Sequence, residues 1–170
     1  RIIRRMGVRE IRCGKQTIAE AVQTAMDELT EKGYRPYYIY GNTRGEGNEH
    51  IPMGAYEKTY DELHSWEKEN HTFFDYIFLA SSTNATQSGL LAGSLKYEDN
   101  CKIVGISVSR NEKRGKEVIA GNVRKYAEVY SQMLPENWEQ KIYFTDEYME
   151  DGYASYSEAV AQTIRQVYDR

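Results

Sequence analysis

The chain has 170 residues and a mildly acidic balance, with 22 Lys and Arg against 26 Asp and Glu and a formal net charge of −4. This length suits one domain with one continuous core, and the acidic balance argues against the basic face that a nucleic-acid-binding protein presents to phosphates. No apolar run approaches the roughly 18 residues of a membrane-spanning helix, so the sequence predicts no membrane partner.

The predicted elements alternate between strands and helices. Short runs rich in β-branched and aromatic residues predict strands at 8–13, 36–40, 75–80, 102–108 and 141–144. Apolar residues at helical spacing predict helices around 18–29, 56–63, 119–133 and 159–167, and Ser155 and Glu158 have the spacing of a capping box before the last one. The runs at 75–80 and 102–108 are nearly all apolar, which is typical of parallel strands buried on both faces. This alternation predicts an α/β architecture in a single domain spanning residues 1–170.

The cysteines and histidines do not predict a metal site. Cys13 and Cys101 lie far apart in the sequence and lack metal-type spacing, so we expect neither a disulfide scaffold nor a zinc site. We expect a reducing, cytoplasmic location. His50, His64 and His71 lack the HExxH spacing of a metalloprotease helix. We expect His64 and His71 to lie on a solvated helix surface.

The most informative loop follows the predicted strand at 75–80. Residues 81–89 read SSTNATQSG and lead into an apolar helix that contains LLAG at 90–93. The amides and the positive end of a helix dipole favour a bound phosphate at such a position, and hydroxyl groups can add donors. One hydroxyl is enough to cap a helix, so five hydroxyl side chains within residues 81–88 favour an anion-binding loop over a simple cap.

The order of these segments resembles a known enzyme family. The matching words are PYYIYG, a Gly-rich loop, GAYEKTYDEL, FDYIFLASSTNATQSGLLAG, KIVGISVSR and DGY before the last helix. They resemble the family of D-cysteine desulfhydrase and 1-aminocyclopropane-1-carboxylate deaminase, which are pyridoxal-phosphate enzymes of fold type II similar to the tryptophan synthase β chain. The resemblance implies a three-layer α/β/α sandwich with a mainly parallel sheet, present here in part. It also implies that residues 1–34 come from the smaller lobe that covers the cofactor.

The resemblance further implies a function and a set of site residues. The parent protein would use pyridoxal 5'-phosphate as a lyase or deaminase of a small amino acid, by β-elimination or ring opening with release of ammonia, and would be a homodimer. The predicted phosphate-binding residues are Ser82, Thr83, Asn84, Ala85 and Thr86. Tyr153 matches a tyrosine in the active site of the deaminase branch and is the predicted catalytic residue.

The sequence also departs from the family pattern. Asn84 stands where the family usually has glycine, and asparagine tolerates a left-handed backbone better than most residues, so we expect the loop to keep its shape. The lysine that carries the cofactor and the segment at the pyridine nitrogen would correspond to positions before Arg1 and after Arg170. We therefore expect a piece of a larger enzyme that is inactive by itself.

Two other interpretations stay open. A non-catalytic α/β module that binds a phosphorylated ligand, of the flavodoxin-like or sugar-phosphate-binding kind, would also have a Ser/Thr-rich loop after a strand. A flavodoxin-like domain has that loop after its first strand, however, whereas here it follows the third predicted strand. The third interpretation is a structural α/β domain with no ligand.

Overall fold

The computed structural model describes residues 2–39, 42, 48, 50–152 and 155–169, and the chain divides into two compact units, 1–48 and 49–170. The helices are α1 (Ile2–Arg5), α2 (Ile18–Glu31), α3 (His50–Asn70), α4 (Ala85–Lys96), α5 (Glu112–Tyr130) and α6 (Glu158–Tyr168), with a 3₁₀ turn at Trp138–Lys141. The strands are β1 (Tyr76–Ser81), β2 (Lys102–Ser107) and β3 (Tyr143–Thr145). None of the helices in the described part of the chain combines the length and the apolar character that crossing a membrane requires.

The first unit contains α1 and α2. Helix α2 begins with a capping box, in which the Glu20 N–H donates to Thr17 Oγ1 at 3.3 Å and the Thr17 N–H donates to a Glu20 carboxylate oxygen at 2.8 Å. The predicted strands at 8–13 and 36–40 are wrong, because residues 8–13 and 36–39 have irregular backbone; residue 40 lies outside the described residues. A strand forms only where a neighbouring strand takes up its hydrogen bonds, and strand-like composition does not supply that neighbour.

The second unit is built on a parallel sheet with the strand order β1-β2-β3. Residues 76–81 pair with residues 102–107, and residues 104–106 pair with residues 143–145. Helix α4 connects β1 to β2 and α5 connects β2 to β3, which are the crossovers that parallel strands need. The predicted strands at 75–80, 102–108 and 141–144 and the α/β fold with a mainly parallel sheet are therefore confirmed.

The core lies between one face of this sheet and helices α3, α4 and α5. Its fully or nearly fully buried members include Met53 and Tyr60 of α3, Leu91 and Leu95 of α4, Ile103 of β2, Ile119 and Val123 of α5, and Phe144 of β3. Helices α3 and α4 pack closely because α4 carries glycines at the contact. A Cβ on Gly89 would lie 2.6 Å from the Met53 carbonyl oxygen, and one on Gly93 would lie 2.4 Å from Tyr60 Cβ.

The opposite face of the sheet is open at β1. Tyr76 and Phe78 are 49% and 66% exposed, so the prediction that this strand is buried on both faces is wrong. Strand side chains alternate between the two faces, and in the described part of the second unit α4 and α5 cover the face that carries Ile103 and Phe144. The apolar run at 75–80 therefore did not indicate a strand covered on both faces of the sheet.

Helix α6 starts at a different cap from the predicted one. Its N-cap is Ser157, whose hydroxyl accepts the Val160 N–H at 3.2 Å. The predicted capping box of Ser155 with Glu158 is wrong, since Ser157 stands next to the first helical residue and takes the capping role.

Candidate functional site

A cavity of about 180 Å³ lies where β1 ends and α4 begins. It is lined by Ala80, Ser81, Ser82, Thr83, Asn84 and Thr86. The loop stands at the carboxyl edge of the parallel sheet, which is where α/β sheets bind ligands. The structure thus brings together four of the five predicted phosphate-binding residues around one cavity, and the fifth, Ala85, is the first residue of α4.

Asn84 gives this loop its shape. Its backbone is left-handed, with φ 69°, and it is the N-cap residue of α4, but its side chain makes no capping hydrogen bond. The side-chain amide donates instead to Ser81 Oγ at 3.1 Å. The backbone carbonyl oxygen of Asn84 accepts both the N–H and the hydroxyl of Ser88, at 2.9 Å and 2.8 Å. Asn84 Oδ1 is buried without a hydrogen-bond partner in the described part of the structure.

The start of α4 consequently has the features that an anion-binding position requires. The first amides of a helix have no acceptor within the helix, and Asn84 does not cap those of α4 with its side chain. Twelve residues of helix place the positive end of a dipole at the same point. Thr86 is half-buried and Thr83 is exposed, so the Thr86 hydroxyl is the better placed of the two to add a donor. These residues fit a phosphate group.

Helix α4 is held firmly in this position by Gln87. The side chain of Gln87 is buried and donates to the Ile103 carbonyl at 3.2 Å and to the Tyr143 carbonyl at 2.6 Å, so it ties α4 to both β2 and β3. It occupies the space above Gly105, where a Cβ would lie 1.9 Å from Gln87 Oε1. The Gln87 contacts therefore fix the direction in which the first amides of α4 point.

A second loop, after β2, supports the first one and was not predicted to do so. Ser107 Oγ accepts the backbone N–H groups of Ser109 and Arg110 and donates to the Arg110 carbonyl at 2.6 Å. Arg110 Nη1 then donates to the Ser82 carbonyl at 2.8 Å, and the Ser82 and Ser109 hydroxyls are 3.0 Å apart. The signal was available in the sequence, since β1 and β2 were both predicted as parallel strands and their carboxyl ends meet at one edge.

A larger cavity of about 570 Å³ adjoins the first and shares Ala80 and Ser82 with it. Its lining comes from β2, from the segment after β3 and from α6, and includes Ile106, Met149 and Tyr156. Gly152 and Ser155 also line it. The predicted catalytic residue, Tyr153, lies outside the described residues.

Comparisons with known proteins place the chain in a family. The sequence model described as "Pyridoxal-phosphate dependent enzyme" matches residues 1–170. The chain belongs to this family. The family depends on pyridoxal phosphate, which confirms the predicted cofactor at that level and favours it over a flavodoxin-like or sugar-phosphate-binding module.

Two curated relatives are named as deaminases. The chain is 29% identical over 124 residues to a probable 1-aminocyclopropane-1-carboxylate deaminase of Cryptococcus neoformans var. neoformans, covering 72% of this chain and 33% of the relative. It is 26% identical over 112 residues to a 1-aminocyclopropane-1-carboxylate deaminase of Methylobacterium nodulans, covering 66% of this chain and 32% of the relative. The matched part thus spans about a third of the length of each of these relatives.

Proposed function

We propose that the protein containing these residues is a pyridoxal-phosphate-dependent deaminase or lyase of a small amino acid, acting by β-elimination or ring opening with release of ammonia. The observation that carries the proposal is the uncapped start of α4 below the 180 Å³ cavity, in a chain of this family. When bound, pyridoxal phosphate withdraws electrons from the bonds that break in the substrate. The names of the two curated relatives support 1-aminocyclopropane-1-carboxylate as the substrate. D-cysteine is proposed as an alternative substrate from the resemblance of the sequence alone.

In this proposal Ser82, Thr83, Asn84, Ala85 and Thr86 hold the cofactor phosphate. The amides at the start of α4 and the Thr86 hydroxyl donate hydrogen bonds to it, and the helix dipole favours its negative charge. Arg110 holds the loop in place by donating a hydrogen bond to the Ser82 carbonyl. The adjoining 570 Å³ cavity has room for the rest of the cofactor and a small substrate.

We propose Tyr153 as a catalytic residue that contacts the substrate. The support is its position in the chain, since Gly152 and Ser155 on either side of the pair 153–154 both line the larger cavity. A phenol at this position can donate a hydrogen bond to, or exchange a proton with, a polar substrate group.

The lysine that carries the cofactor is proposed to lie outside residues 1–170. In the described part of the structure, no lysine lines either cavity. The 170-residue chain alone should therefore show no turnover and no single borohydride-reducible attachment of pyridoxal phosphate. A stoichiometric pyridoxyl-lysine found by mass spectrometry within residues 1–170 would contradict this.

The remaining features of the proposal concern the whole enzyme. We propose that residues 1–170 form a single α/β domain of it, with residues 1–34 contributing to the smaller lobe that covers the cofactor. We also propose a homodimer in the cytoplasm. A reducing compartment agrees with the free thiols of Cys13 and Cys101.

The test is an activity assay of the complete protein loaded with pyridoxal phosphate. 1-Aminocyclopropane-1-carboxylate and D-cysteine are offered separately, and ammonia, keto acid and sulfide are measured. The proposal expects release from one or both, a large loss of kcat in Tyr153→Phe, and no change in the control Tyr168→Phe, whose residue is 89% exposed on α6. Binding of the cofactor without release of ammonia from either compound, or from other small amino acids, would refute the reaction.

A further inference from the structure

A second cluster of functional groups lies at the other edge of the sheet, away from the phosphate-binding loop. His64 and Glu67 stand one turn apart near the end of α3, and Asp99 lies in the turn between α4 and β2. His64 Nδ1 is 3.9 Å from Glu67 Oε2 and 3.8 Å from Asp99 Oδ2. One potential ligand atom from each of the three residues lies within 4.8 Å of the other two, so the residues form a group that can share one ion.

The His64 nitrogen lacks a hydrogen bond at this point. His64 Nδ1 is buried and has no hydrogen-bond partner among the described residues, since 3.8 Å is too long for a hydrogen bond to either carboxylate. The His64 side chain is 17% exposed, whereas we expected it on a solvated surface. Its ring stacks on Tyr97, with 4.0 Å between ring centroids and 22° between the planes, so the nitrogen is held toward the two carboxylates.

Both carboxylates are held in place by hydrogen bonds to their other oxygen. Glu67 Oε1 accepts the Phe74 N–H at 2.8 Å, and Asp99 Oδ1 accepts the Cys101 N–H at 3.1 Å. Asp99 Oδ2 also accepts the Tyr60 hydroxyl at 2.7 Å. Outer hydrogen bonds of this kind orient the ligands of metal sites.

The charge of the cluster is unbalanced. The Glu67 side chain is only 3% exposed, and a buried carboxylate is costly unless it is paired. In the described part of the chain, the ion pairs of Glu67 and Asp99 are with His64 and with no lysine or arginine. Lys141, which is near, binds the Asp99 backbone carbonyl rather than its carboxylate.

We propose that His64, Glu67 and Asp99 bind one divalent transition-metal ion of the zinc type, with water in the remaining position. One imidazole nitrogen and two carboxylate oxygens suit such an ion, whereas magnesium and calcium prefer oxygen ligands throughout. Ligand atoms around a tetrahedral zinc ion lie about 3.4 Å apart, so the two distances from His64 Nδ1, 3.8 Å and 3.9 Å, must each shorten by about half an ångström. The bound ion would join α3 to the turn before β2 and balance the two carboxylates.

The sequence does not reveal this site because Asp99 is brought to α3 only by the fold. The proposed metal site has no catalytic part in the proposed reaction, and the two proposals are tested independently. A proton on His64 is the alternative to a metal ion as a source of positive charge in this cluster. Titration with metal distinguishes these two alternatives.

The test is calorimetric titration of the protein with Zn²⁺ near neutral pH, in a Cys13→Ser background that removes the more accessible thiol. We expect one Zn²⁺ per chain, affinity weakened by more than about tenfold in Glu67→Gln, Asp99→Asn and His64→Gln, and no comparable binding of Mg²⁺. The matched control is His71→Asn, since His71 is exposed and its left-handed backbone suits asparagine.

A measurement on the protein with all three ligands intact covers the case in which a variant fails to fold. The ¹⁵N resonance of His64 Nδ1 should shift on addition of Zn²⁺ while that of His71 Nδ1 does not. The proposal is overturned if no stoichiometric Zn²⁺ binds, if His64→Gln binds it as well as the unsubstituted chain does, if Mg²⁺ binds equally, or if the His64 resonance does not move.

Discussion

The contribution of the Thr86 hydroxyl to phosphate binding can be isolated with a small substitution. Thr86 is the second residue of α4 and lines the 180 Å³ cavity, so Thr86→Ala removes one donor and leaves the amides and the helix dipole in place. A hydrogen bond to a charged group contributes about 1.5–3 kcal/mol. At about 1.4 kcal/mol per factor of ten, we expect affinity to fall by about ten- to a hundredfold and not to vanish.

The assay compares two ligands that differ only in the phosphate. Pyridoxamine 5'-phosphate and unphosphorylated pyridoxamine are titrated against the complete protein by absorbance or fluorescence, because neither can attach covalently to a lysine. The loss in Thr86→Ala should appear for the phosphorylated ligand alone. Thr83→Ala should cost less, since Thr83 is exposed. The control is Thr59→Ala, an exposed threonine of α3 whose hydroxyl donates to the Ala55 carbonyl.

The reasoning is refuted if Thr86→Ala leaves the affinity for the phosphorylated ligand unchanged, or weakens both ligands equally. The first result would make residues 81–86 a helix start without a phosphate. The second would show that the substitution disturbed the cavity as a whole.

Three further predictions concern the same fold. Asn84→Gly should change the free energy of unfolding by no more than about 1 kcal/mol. It removes a side-chain hydrogen bond of about 1 kcal/mol, and glycine relieves the left-handed backbone strain of asparagine, which is smaller than the roughly 1–2 kcal/mol of most residues. A larger loss in urea unfolding would contradict this. Gly89→Ala should destabilise the protein by about 1–3 kcal/mol, because the added Cβ would meet the backbone of α3. The control Gly121→Ala, which has open space around it on α5, should stabilise the protein by about 0.5–1 kcal/mol. Equal effects of the two substitutions in the same urea assay would refute the close contact. Burial, reinforced by nearby carboxylates, raises the pKa of the Cys101 thiol to about 11, so its thiolate appears only as the pH approaches that value. A disulfide reagent at pH 8 should therefore label Cys13 before Cys101. Equal labelling rates of the two cysteines in the native protein would contradict this prediction.

The elements that could be predicted from the sequence are those whose signals are local. The apolar runs at 75–80 and 102–108 became β1 and β2, and the apolar spacing at 18–29 became α2, which its own capping box begins. The Ser/Thr-rich loop was also predicted correctly to lead into a helix, which begins at Ala85. In each case the residues that carry the sequence signal lie within a few positions of one another.

The failures have a common origin in contacts that are distant in the sequence. The runs at 8–13 and 36–39 have strand-like composition without a strand pairing, and pairing is what makes a strand. His64 has the local sequence of an exposed helix position, yet Tyr97 and Asp99 enclose it. The composition of a segment indicates whether its residues prefer a buried or an exposed environment. Only the packed fold decides which environment each residue has.

The candidate site divides in the same way. The sequence determined that hydroxyl and amide donors stand between a strand and a helix, because that depends on neighbouring residues alone. The tertiary structure decided that Asn84 leaves the helix start uncapped by turning its side chain to Ser81, and that Arg110 reaches the Ser82 carbonyl from the next strand. It also decided that Gln87 anchors α4 above Gly105. The Arg110 and Gln87 contacts join segments that only the parallel pairing of β1, β2 and β3 brings together, and no local pattern in the sequence records a pairing.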